Sequence, residues 1–78
     1  MIAPPNVLRA ARELVGLKQA EAADAAGISR RTIQRLESGE RFNTGTSITL
    51  QTFYETKGIE FVRPANGKGW GVLDNTSA

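Results

Sequence analysis

Apolar and polar positions along this chain follow a helical period through residue 57 and a strand period after it. Val7, Leu8, Ala11, Leu14 and Val15 recur three and four residues apart and so share one face of a helix. Pro4-Pro5-Asn6 precede them, with Asn6 placed to cap the first-turn amides, and Gly16 stands where a helix ends in a left-handed residue. An Ala- and Glu-rich second helix is predicted over about 18–26, closed by Gly27. Ile28 turns inward, and Ser29 is the N-cap candidate of a third helix over 30–38, with Ile33 and Leu36 on its buried face and Gly39 at its end. Residues 40–46 read as a loop. Thr46 or Ser47 then caps a fourth helix reaching Lys57, which packs through Ile48, Leu50, Phe53 and Tyr54 and is closed by Gly58. Alternation over 59–63, the turn signal Asn66-Gly67 and a return over 69–73 predict a β-hairpin. Residues 75–78 read as a frayed tail.

The expected organisation is a helical unit over 1–58 with a hairpin over 59–74 appended to the same domain. At 78 residues the core is small, since a chain this short buries only about 60% of its unfolded surface. Neither a disulfide nor a structural zinc is expected, because the sequence contains no Cys and no His. The same lack removes the usual catalytic bases and thiol nucleophiles, so an enzyme is not expected, and no cofactor is implied. Glu21 and Asp24, three apart, read as a solvated helix face. No apolar run approaches the ~20 residues of a membrane span. The start of the chain has neither the basic nor the apolar segment of a signal peptide. Localisation is expected to be cytoplasmic, nucleoid-associated when bound.

Net charge is only +2, from ten Lys and Arg against eight Asp and Glu. Its placement is more telling than its size. Arg30, Arg31, Arg35 and Arg41 fall close together, offset by Glu37 and Glu40. If Ile33 and Leu36 face the core, Arg31 and Arg35 lie one turn apart on the outside, with Gln34 beside them. An arginine fork matches the O6 and N7 acceptors of guanine or holds a phosphate, and Gln34 suits adenine. The start of the second helix, with Lys18 and Gln19, offers unpaired amides and side-chain donors to a phosphate. A helix, a Gly-Ile-Ser turn and a basic helix is the layout of a helix-turn-helix, with Ala23 as the small residue where the two helices cross.

These residues resemble the Cro and phage-repressor type of helix-turn-helix, the xenobiotic-response-element family. The likeness is carried by Arg12-Glu13-Leu14-Val15-Gly16-Leu17-Lys18-Gln19, Ala23, Gly27-Ile28-Ser29, Ile33 and Leu36-Glu37-Ser38-Gly39. It implies a mainly α, lambda-repressor-like four-helix domain, here followed by a C-terminal β-hairpin. It implies a transcriptional regulator that binds double-stranded DNA through the helix at 30–38. By the same resemblance, Gln19, Ser29, Arg30, Arg31, Thr32 and Arg35 are base and phosphate contacts, and Arg12 and Glu37 form a structural ion pair. The chain departs from the family at Ala22, where leucine is usual, at Lys18 in the cap position, in the longer loop at 40–46, and in the hairpin.

The hairpin has three readings. Phe61 and Trp70 pack on the helices. Alternatively Ile59, Phe61, Arg63, Trp70 and Val72 build a homodimer, which would call for a palindromic operator. A third reading makes Arg63 and Lys68 DNA-backbone contacts. A protein-interaction module, such as an antitoxin that binds a small partner protein through the hairpin, is the alternative to a free-standing regulator.

Overall fold

The computed structural model describes residues 2–40 and 43–75. Four helices, α1 (Pro5–Val15), α2 (Gln19–Ala26), α3 (Arg30–Glu37) and α4 (Thr44–Thr56), precede an antiparallel hairpin of β1 (Ile59–Val62) and β2 (Gly71–Asp74). Among the described residues no helix is long and apolar enough to cross a membrane.

Each expected element is present, with its ends displaced for local reasons. α1 starts two residues earlier than an Asn6 cap requires. Pro4 is the N-cap, Pro5 occupies the first helical position, where a missing N–H costs nothing, and Asn6 lies within the first turn. α2 begins at Gln19 with Lys18 as N-cap, and Glu21 Oε1 accepts the Lys18 N–H at 2.8 Å. A lysine ammonium has no acceptor, so this is one half of a capping box. Ser29 caps α3 as expected, its Oγ accepting from the Thr32 N–H at 3.1 Å, and the helix closes at Glu37 rather than Ser38. The largest displacement is at α4. Its cap is Asn43, whose Oδ1 accepts from the Thr46 N–H at 3.0 Å, and not Thr46 or Ser47. Ser47 is instead fully buried.

Gly27 takes φ +75°, and a Cβ placed there would meet nothing within 4 Å. Its requirement is therefore left-handed backbone and not close packing. The close approach falls to Ala22 and Ala23, at 0% and 2% exposure, where α2 lies on α3. Those alanines join Leu8, Ala11, Ile33, Leu36, Leu50, Tyr54, Ile59 and Ala3 in the core. Two expected packing residues are exposed: Leu14 at 41% and Ile48 at 49%.

The hairpin pairs Ile59 with Asp74 and Phe61 with Val72 on one face, Glu60 with Leu73 and Val62 with Gly71 on the other. The first strand stops at Val62, one residue short of the expected end. The second runs over 71–74 and not 69–73. The turn lies at Asn66 (φ 55°) and Gly67 (φ 76°), where Lys68 N donates to Ala65 O, so the Asn-Gly signal is read correctly. Phe61, Trp70 and Val72 pack on the helical core, and the strands contact α1 and α4. Asp74 belongs to β2, and the Asn75 N–H donates to Gly58 O. Residues 76–78 of the expected tail lie outside the described residues.

The polar link across the core joins Arg12 to Glu37. Arg12 Nε donates to Glu37 Oε2 at 2.7 Å and Nη2 to Oε1 at 3.1 Å, in the two-pronged geometry that a guanidinium and a carboxylate favour. Side-chain exposure is 11% and 4%. Arg12 Nη1 also donates to the Leu17 carbonyl at 2.6 Å, tying the α1–α2 turn to the same residue. The hydrogen bond to Glu37 raises the Arg12 pKa despite burial, so the guanidinium stays charged.

Glu37→Ala leaves the Arg12 charge buried and unpaired. It should cost about 3–5 kcal/mol in urea unfolding, whereas the Arg12→Met/Glu37→Leu double variant should lose much less. If the single and double variants were equally unstable, the buried charge would not be the cause. Tyr54, the chain's single tyrosine, is fully buried, and burial raises its hydroxyl pKa above the usual 10.0. The fold should therefore be indifferent to Tyr54 ionisation below pH 10 and lose stability above it, as the unfolded chain releases that proton first. On alkaline titration, tyrosinate absorbance should rise together with the loss of helical circular dichroism, not ahead of it.

Candidate nucleic-acid interface

α3 carries its chemistry on the side turned from the core. Ile33 and Leu36 are buried at 0% and 1%, and Arg31 and Gln34 are exposed on the opposite side. Arg35, one turn beyond Arg31, is half-buried and edges a groove shared with Thr32, Leu36, Asn43 and Thr46. Ser38 completes the outer stripe, but its Oγ donates to the Arg35 carbonyl at 2.9 Å and serves the helix end. The ion pairs Arg12–Glu37 and the exposed Arg9–Glu13 involve other arginines, and the guanidiniums of Arg30, Arg31 and Arg35 have no carboxylate partner among the described residues. Arg41 of the basic cluster lies outside the described residues.

The flanks of this stripe are more committed. Ser29 Oγ and Thr32 Oγ1 lie 2.6 Å apart, and Ser29 Oγ also takes the Thr32 amide, so both hydroxyls close the first turn of α3. Arg30 is exposed about a quarter turn from the stripe.

At the start of α2, Lys18 is exposed and Gln19 half-buried. Two interactions there escape the sequence reading. Glu21 already takes the Lys18 amide, which places a carboxylate beside the amides that would face an anion. The cue was its position three residues after the cap, obscured because a lysine occupies the cap. Gln19 Nε2 donates to Glu37 Oε1 at 3.0 Å. An ionised carboxylate accepts only, so the nitrogen of the Gln19 amide faces Glu37 and its oxygen is left for other donors. No local spacing announces a bond across 18 residues.

The sites expected on the hairpin separate by face. Ile59 is 3% exposed, and Phe61, Trp70 and Val72 are packed against the core, while Arg63 and Lys68 are exposed near the turn. The outer face shows Val62 at 40% and Leu73 at 51%.

The comparison with curated proteins gives no match. The helix-turn-helix family model matches residues 8–58, from the middle of α1 to the glycine that precedes β1. The chain belongs to the Cro/repressor-type helix-turn-helix family, a family of DNA-binding domains in transcription regulation.

Proposed function

We propose that the protein is a sequence-specific regulator of transcription that lays α3 in the major groove of double-stranded DNA, as a homodimer on a palindromic operator. The observation that carries this reading is the outer stripe of α3, where Arg31, Gln34 and Arg35 stand opposite the buried Ile33 and Leu36 with no acidic partner among the described residues. A net charge of +2 is too small to attract DNA by bulk charge, so binding depends on where the cations stand. In this arrangement Arg31, Gln34 and Arg35 meet base edges. Lys18, the backbone N–H of Gln19 and Arg30 meet the flanking phosphates, and Ser29 and Thr32 hold the first turn of α3 in place.

The homodimer is supported by the hairpin. Its inner face is used by the core, and Val62 and Leu73 stand exposed on the outer face beside Glu60. A two-stranded sheet also keeps two unpaired edges. The strands contact α1 and α4, which leaves α3 free for DNA. The same exposed face suits a small partner protein, and this is the second reading, an antitoxin-like module.

In a mobility-shift assay with the region upstream of its own gene, the protein should stay bound against excess nonspecific DNA. The Arg31→Ala/Arg35→Ala variant should lose that retention while keeping its helical content. Retention unaffected by the double variant would remove α3 as the reader. Sedimentation at micromolar concentration should show a dimer, weakened by Val62→Lys or Leu73→Lys. A monomer with and without DNA would end the homodimer reading. A stable complex with the product of the adjacent gene would favour the second reading.

A further inference from the structure

The outer stripe of α3 also restricts which sequence it can read. Arg31 and Arg35 are four residues apart, about 6 Å along the helix axis, and base pairs stack every ~3.4 Å. Two side chains so placed reach base pairs one to about two steps apart. A guanidinium has donors only, and among major-groove edges guanine alone offers two acceptors, N7 and O6, to its fork. The stripe has no carboxylate for the cytosine amino group, since Glu37 is turned inward and held by Arg12 and Gln19. It has no exposed apolar side chain for a thymine methyl either, because Ile33 and Leu36 lie on the buried side. Gln34, between the two arginines, is the one residue of the stripe suited to adenine.

We infer that each operator half-site carries two guanines, on base pairs that are adjacent or separated by one, read by Arg31 and Arg35 with Gln34 between them. This rests on the DNA-reading function proposed above and deepens it. Arg30, off the stripe and nearer a strand, is left to the phosphates, so it contributes affinity and not this pattern.

The test is selection of bound duplexes from a random pool with the full chain, followed by two substitutions on the selected site. Replacing each of the two guanines by 7-deazaguanine keeps the base pair and removes N7. Arg31→Lys and Arg35→Lys keep the charge and remove the fork. The expected selection shares a guanine pair at the stated spacing. Each deaza replacement should weaken binding about three- to tenfold, the loss of one hydrogen bond. Each lysine variant should weaken the selected site about ten- to a hundredfold and leave nonspecific binding and its salt dependence unchanged. Selected half-sites without such a guanine pair, or lysine variants that bind the selected site like the parent, overturn this inference alone. No enrichment of any sequence by the folded protein overturns the DNA-reading proposal as well.

Discussion

One buried carboxylate sets the geometry on which the remaining surface depends. Glu37, the last residue of α3, receives two hydrogen bonds from Arg12 of α1 and one from Gln19 of α2. Arg12 adds a bond to the Leu17 carbonyl in the turn between those helices. Three helices are therefore referred to a single side chain. Apolar contacts alone would leave more freedom, because α2 presents Ala22 and Ala23 to the core and alanine ridges interlock less than leucine ones. Desolvation makes a buried ion pair a weak source of net stability, but its angular demands are strict. It fixes how α2 sits on α3, the relation that decides whether the start of α2 and the stripe of α3 can meet one duplex together.

The small residues of α2 have a second consequence. A core of this size needs apolar volume, and α2 supplies little of it. Leu8, Ile33, Leu36, Leu50 and Tyr54 provide the centre, and the hairpin adds Ile59 with Phe61, Trp70 and Val72 packed behind it. Because the strands seat on α1 and α4, the hairpin thickens the core at a distance from the thin α2–α3 contact. Tyr54 carries a buried hydroxyl without a hydrogen-bond partner among the described residues, as does Ser47. Both lie on α4, so the tightest polar satisfaction is kept for α1–α3 and the loosest for the helix behind them.

The helical order, the hairpin and the arginine face were legible because each rests on short-range signals. Apolar spacing of three and four, Gly16 and Gly27 after helices, Ser29 before one, and Asn66-Gly67 at a turn all act within a few residues. The start of α4 was misplaced for a related reason. Asn43 sits beside Thr44, Gly45 and Thr46, a run that looks like loop until its side chain is seen closing the first turn. Ile48 is apolar but lies two residues, about 200° around the helix, from the buried Leu50, and so it faces outward. Gln19–Glu37 and Lys18–Glu21 were not legible as site features. The first is a tertiary contact, and the second has a cap residue whose own side chain cannot complete the motif.

The arginines of the chain show why position outweighs total charge. Arg12 is spent inside the protein on a carboxylate and contributes nothing to an external field. Arg9 is shared with Glu13 on the exposed side of α1, and such a pair is nearly neutral at a distance. Among the described arginines Arg30, Arg31, Arg35 and Arg63 have no carboxylate partner, and the first three belong to one eight-residue helix. A protein with a formal charge of +2 can thus present a strongly basic surface along one helix while the rest stays close to neutral. Binding carried by few cations releases few counterions, so bulk attraction to arbitrary DNA is modest. Discrimination must then come from hydrogen bonds that only the right bases complete, and these require side chains held at fixed spacing on a rigid element. The polar node at Glu37 and the short helix it terminates provide that rigidity.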